Sequence, residues 1–116
     1  MTGTGLLDGT SWSLADGEGV TIPEQVTMTI AFAGATASGS SGCNRFTGMY
    51  EERGRSMGFG PMATTRMACA DEVMTAERAY LAALESVSSW SATDAELVLF
   101  DAAGDELLRY VASSAQ

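Results

Sequence analysis

The sequence predicts an α+β fold: about seven or eight antiparallel strands in a meander, with a single helix inserted late in the chain and packed on the sheet. Two patterns point there. Residues 26–32, Val-Thr-Met-Thr-Ile-Ala-Phe, alternate between large apolar and small side chains with a period of two, the signature of a half-buried strand. Over residues 71–87 the period changes. Val73, Ala76, Tyr80, Leu84 and Val87 recur at steps of three and four, which is a helical stripe. Strands do not alternate with helices along the chain, so the pattern is α+β and not α/β.

Residues 9–14 form the first strand candidate, with Trp12 and Leu14 on one face. Residues 16–24 are a turn-rich connection holding Gly17, Gly19 and Pro23. The alternating strand 26–32 turns at Ala33 and Gly34 into a short strand, 35–39. Residues 38–42 are small and polar, a loop or a bulge. Strand character resumes over 45–51 through Phe46, Met49 and Tyr50. A turn at 52–54 returns the chain along 55–59, and Gly60-Pro61 stops it.

Asp71 is the expected helix N-cap, and Glu72 suits the positive end of the helix dipole. Ala76, Ala79, Ala82 and Ala83 raise helix propensity. Three strand candidates follow, at 87–93, 96–101 and 106–112. The last two are joined by a hairpin in which Gly104 is available for positive φ. The expected core is Trp12, Val26, Met28, Ile30, Phe32, Phe46, Tyr80, Leu84, Leu97 and Leu99. No repeat, linker or low-complexity tract divides the chain. It reads as one domain, 1–116, with a core from about residue 6 to 112.

Composition removes much chemistry. The 116 residues carry 6 arginines and 15 acids, a net charge of −9, with no lysine and no histidine. Histidine-dependent nucleophile pairs and zinc sites are excluded, as are lysine-dependent phosphate loops and Schiff bases. Six scattered arginines make no basic stripe for nucleic acid or for an anionic membrane surface. No apolar run approaches the roughly 18–20 residues of a membrane span. Residues 1–9 lack the charged and apolar regions of a signal peptide. The protein either stays inside or is the mature piece of an exported or lipid-anchored precursor.

Residues 58–63 match a dinucleotide-binding glycine pattern, but Pro61 removes an amide and the helix starts some ten residues later, so the reading is a strand end. The acidic stretches 94–96 and 101–106 match no calcium loop and read as solvated hairpin tips. No cofactor or metal is implied. Seven methionines read as gap-filling core residues.

Cys43 and Cys69 are the only cysteines, and residue pattern leaves three readings open: a disulfide, two buried free thiols, or a redox role. Glu77 falls inside the helical stripe, where a carboxylate needs a partner. Arg45 and Arg66 are the candidate partners, the alternative being an exposed helix edge. Asn44, the only asparagine, reads as structural, bonding nearby amides and tolerating left-handed geometry; a surface recognition contact is the alternative.

The run Ser41-Gly42-Cys43-Asn44-Arg45-Phe46-Thr47-Gly48-Met49-Tyr50 resembles the central motif of the META domain, the HslJ-like family of heat-shock proteins. Residues 63–69, Ala-Thr-Thr-Arg-Met-Ala-Cys, resemble its second motif at the family's usual distance. Trp12-Ser13-Leu14 resembles its opening strand, and Glu77, Tyr80, Leu81 and Leu84 its helix. The resemblance implies a Cys43–Cys69 disulfide. It also implies structural roles for the motif residues Gly42, Asn44, Arg45, Phe46, Gly48, Tyr50, Thr65, Arg66 and Glu77.

For function, the resemblance implies a cell-envelope or stress-response domain, exported or lipid-anchored as a lipoprotein, with no established enzymatic activity. The expected role is a non-enzymatic protein-interaction module, monomeric and extracytoplasmic, with an unknown protein partner. The family fold is similar to that of secretin-pilot lipoproteins, which implies an alternative: a carrier of an apolar ligand such as a lipid. Its groove would lie between helix and sheet, with Ala76, Ala79 and Ala83 leaving room and Glu77 as polar anchor. An enzyme using carboxylates is the remote alternative.

Overall fold

A computed structural model describes residues 7–24 and 26–112. In chain order the elements are β1 (Ser11–Gly17), β2 (Thr29–Ala33), β3 (Thr36–Ser40), β4 (Arg45–Arg53), β5 (Ser56–Phe59), β6 (Ala63–Thr64), α1 (Asp71–Glu85), β7 (Ser89–Ala92), β8 (Glu96–Phe100) and β9 (Glu106–Ala112). The strand and helix classes follow the sequence pattern, but the meander does not stay open. Neighbours run β3-β2-β1-β9-β8-β7-β5-β4, and β4 pairs back onto β3. The sheet is therefore a closed eight-stranded antiparallel barrel, with β6 lying on β4 as a ninth strand.

The reason for closure is the length of β4. Its first half, Arg45 to Met49, pairs with β3, while Tyr50 to Arg53 pairs with β5 on the opposite edge. After α1 the chain returns to the β5 edge as β7, and β9 then meets β1. Strand twist carries such a sheet round on itself, and closure removes exposed strand edges. The seam is thinnest between β5 and β7, where Ser56 faces Ser89. There Met57 N–H donates to Ser88 O at 3.0 Å and Trp90 N–H to Arg55 O at 3.0 Å.

Several boundaries shift from expectation. β1 extends to Gly17 through a register shift between Leu14 and Asp16. β2 begins only at Thr29, so Val26 lies outside the strand and is half-buried instead of core, although Met28 O still accepts from Leu14 N–H at 2.8 Å. β4 runs on through Glu52 and Arg53, and the turn falls at Gly54, where φ is +59°. β6 was not expected at all. Ala70, not Asp71, occupies the helix N-cap, and no side chain caps it. The 70 O carbonyl accepts from both Val73 and Met74 N–H at 3.0 Å, which tightens the first turn.

The helical stripe is buried as its period requires: Val73, Ala76, Tyr80, Leu84 and Val87 all face the barrel. Tyr80 is fully buried and touches three strands. Its ring lies edge-on to Phe46 of β4 at 5.8 Å, and its hydroxyl meets Tyr110 of β9 at 2.8 Å and Thr29 O of β2 at 3.2 Å. A carbonyl only accepts, so the single Tyr80 hydrogen goes to Thr29 and Tyr110 donates to Tyr80. Burial pushes both phenols up, and both stay protonated at neutral pH. Leu97, Val98 and Leu99 are all buried, so β8 is covered on both faces.

Candidate functional site

The turn between β3 and β4, residues 41–44, carries the densest cluster of buried polar groups. Ser41 is fully buried, Asn44 is 3% exposed and Glu77, across on α1, is 6% exposed. The turn closes through Ser41 N–H donating to Asn44 O at 2.9 Å. Gly42 sits at φ +116°, and a Cβ there would lie 3.2 Å from Met28 Cε, so only glycine fits without displacement. Positive φ among the described residues is confined to glycines. The left-handed position expected of Asn44 is therefore taken by Gly42, and Asn44 acts through its side chain alone.

Glu77 accepts from Ser41 Oγ at 2.7 Å and Asn44 N–H at 2.8 Å on Oε1, and from Asn44 Nδ2 at 2.8 Å on Oε2. The second Nδ2 hydrogen goes to Met67 O at 3.2 Å. Asn44 Oδ1 accepts from Thr65 Oγ1 at 2.9 Å and Met67 N–H at 2.6 Å. The Asn44 amide thus makes all four bonds its chemistry allows. Through it three segments meet: the β3–β4 turn, α1, and the chain between β6 and α1.

Glu77 was expected to pair with Arg45 or Arg66. Both arginine side chains are instead exposed, and neutral donors hold the carboxylate. Burial pushes the Glu77 carboxyl up. The Asn44 and Ser41 side chains and the Asn44 and Cys43 backbone N–H groups outweigh it, so the net shift is downward. Dipoles achieve this without burying a guanidinium, which would add a second desolvation cost. A carboxyl below its ordinary value is an acceptor at neutral pH, not a proton donor.

The disulfide joins Cys43 to Cys69 with Cα atoms 6.0 Å apart, inside the roughly 4.4–6.8 Å span of such bonds. Cys43 is half-buried and Cys69 is exposed, two residues before α1 begins. The bond ties the turn to the helix entry, beside the Asn44 bonds that do the same. Such a bond is consistent with an extracytoplasmic location.

The META domain matches residues 5–114 of this chain. The chain belongs to the META domain family. Among solved structures it is similar to a protein from Burkholderia xenovorans determined by NMR, with 29% identity, 94% of this chain and 85% of that one covered, and a TM-score of 0.80. A DUF4847 family protein from Bacteroides vulgatus shares the fold at 12% identity, with 96% and 97% covered and a TM-score of 0.71. No curated protein matches the chain.

The Ser41, Asn44 and Glu77 hydrogen bonds form a latch between the turn and α1, and the other META motif residues lie on β4 or beside it. Phe46 is buried against Tyr80, and Tyr50 is buried with its ring centroid 4.8 Å from that of Phe32. Burial, then the negative charges of Glu52 and Asp8, push the Tyr50 phenol up. A Cβ on Gly48 would meet Met62 Sδ at 2.6 Å and Pro61 O at 2.8 Å, so glycine lets the 60–62 segment cross β4 closely. Thr65 accepts from Arg45 N–H at 3.1 Å while donating to Asn44. Arg45 and Arg66 are both exposed, and neither reaches Glu77.

Sequence reasoning missed the roles of Ser41 and of the Met67 main chain. Backbone donors leave no compositional signal, and Ser41 differs from its neighbouring serines only in depth.

The expected helix–sheet groove is also altered. Ala76 and Ala83 are buried, and Glu77 is fully engaged by the turn instead of anchoring a guest. An open depression of about 290 Å³ lies beside the N-terminal half of α1, lined by Gly19, Thr21, Pro23, Glu72, Thr75 and Ala76. A second, of about 380 Å³, lies outside the barrel along Arg45, Thr47, Ala63, Thr64 and Thr65. No helix among the described residues is long and apolar enough to cross a membrane, and among those residues no three potential ligands gather for a metal.

Proposed function

We propose that this META domain is a non-enzymatic module of the cell envelope or stress response that works outside the cytoplasm by contacting another protein. The observation that carries this reading is the full engagement of its motif chemistry. Every donor and acceptor of the Asn44 amide is used internally, and both Glu77 oxygens are held by the turn. The two thiols are joined to each other. A closed barrel whose polar motif locks its helix in place offers a rigid outer surface, which is what an interaction module needs. The disulfide supports work in an oxidising compartment.

The test is a photo-crosslinking amino acid placed at exposed sites around the barrel in the native host. Discrete protein adducts from one face are expected. Absence of adducts from every face, with a small molecule retained in native mass spectrometry of the purified protein, would overturn the reading.

A further inference from the structure

The chain from Ala63 to Ala70 is almost wholly exposed, yet it is tightly held. Thr65 N–H donates to Arg45 O at 3.1 Å, and Thr65 Oγ1 and Met67 N–H both reach the buried Asn44 amide. Cys69 is pinned by the disulfide. An exposed segment usually moves; this one is pre-organised by a buried amide and a covalent bond. It presents Met67, 56% exposed, and Arg66 outward. Next to it the groove along β4 and β6 is bordered by Arg45 and Thr47, with Met49, 61% exposed, further along β4.

Charge is distributed unevenly over the chain. Residues 36–70 contain four arginines and two glutamates, a net of +2; the rest contains two arginines and thirteen acids, a net of −11. The ion pairs among the described residues join Arg109 to Glu96 and Glu106, leaving Arg45 and Arg66 without a carboxylate partner among those residues. β6 ends the strand order, on the edge of β4 that β5 also uses. Because Thr65 N–H points at β4, alternation turns the Thr64 N–H and C=O away from β4.

We infer that the β4–β6 groove and the pinned 63–69 segment form a docking surface for an extended, acidic segment of another polypeptide. The segment adds beside Thr64, places apolar side chains over the groove and Met67, and sets carboxylates against Arg45 and Arg66. The acidic remainder of the domain repels such a segment everywhere else, which fixes where it docks. A second copy of the chain is disfavoured as occupant because each copy carries −9. The inference rests on the protein-interaction reading above and names its face and partner chemistry.

The test uses the oxidised full chain and short synthetic peptides of alternating valine with glutamate, lysine or serine, followed by fluorescence anisotropy. The glutamate peptide is expected to bind, to weaken as salt rises, and to lose about tenfold in affinity with Arg45→Glu. Thr47→Glu, on the same exposed face, is the second variant and is expected to weaken binding in the same direction. Thermal melts confirm that both variants remain folded. Equal binding of glutamate and lysine peptides, or full binding by a folded Arg45→Glu, overturns the inference. Self-association in analytical ultracentrifugation that Arg45→Glu abolishes overturns the assigned partner. If the peptides fail while crosslinks form from another face, this surface is wrong and the interaction reading survives; if no face crosslinks, both fall.

Discussion

Replacing Asn44 by alanine removes four side-chain hydrogen bonds, one of them to a carboxylate that is 6% exposed. Three neutral bonds contribute about 1 kcal/mol each, and a bond to a charged group about 1.5–3 kcal/mol. Water entering the vacated space restores part of the sum, so the expected destabilisation is about 3–5 kcal/mol. For a domain of this size that lowers Tm by roughly 10–25 °C. Urea denaturation at neutral pH measures it, with the slope unchanged if only stability has moved.

The loss also carries a pH signature. Asn44→Ala removes one of the donors that lower the Glu77 carboxyl, so that carboxyl lies higher in the variant than in the wild type. The wild type, with the lower carboxyl, loses more stability on acidification than the variant does, so the gap between them narrows as pH falls through the carboxyl range. A loss below about 1 kcal/mol at neutral pH, or a gap that does not change with pH, would refute the latch.

Other outcomes follow from the same geometry. In the wild type the Glu77 carboxyl lies below its ordinary value, so its contribution is present above about pH 4.5 and is lost as pH falls through the lowered folded value. Glu77→Gln removes that part of the acid sensitivity in pH-dependent melts. Replacing both cysteines by serine removes a 27-residue loop constraint and costs about 3–4 kcal/mol in the chain-entropy model, read by denaturation with and without reductant. Asn44 still holds Thr65 and Met67, so circular dichroism of that variant stays native. Tyr80→Phe strands the buried Tyr110 hydroxyl and costs about 1–3 kcal/mol, measured by chemical denaturation.

The local parts of this fold were legible. The period of two before Phe32 and the stripe from Val73 to Val87 each lie within one element, and side-chain spacing reports them directly. Closure was not legible, because β1–β9 and β3–β4 pairing depends on how long β4 runs and where the helix returns the chain. β6, two residues of alanine and threonine, has no run of β-formers to announce it. Glu77 was visible as a carboxylate in an apolar stripe. Its partners were misread because sequence advertises arginines, while the groups that hold it are a serine, an asparagine and main-chain amides. The two cysteines and the lone asparagine marked the right turn, but which atoms they join depends on the depth of that turn beneath α1.

A double-mutant cycle between Asn44 and Glu77 tests the central claim most directly. The two residues share two hydrogen bonds, from Asn44 N–H to Oε1 and from Asn44 Nδ2 to Oε2, and the second is the one that Asn44→Ala removes. Urea denaturation of Asn44→Ala, Glu77→Ala and the double variant gives the coupling energy. The latch predicts strong coupling, about 1.5–3 kcal/mol, with the double variant far less damaged than the sum of the singles. Additivity within about 0.5 kcal/mol would mean that the two residues act independently, and would contradict the account.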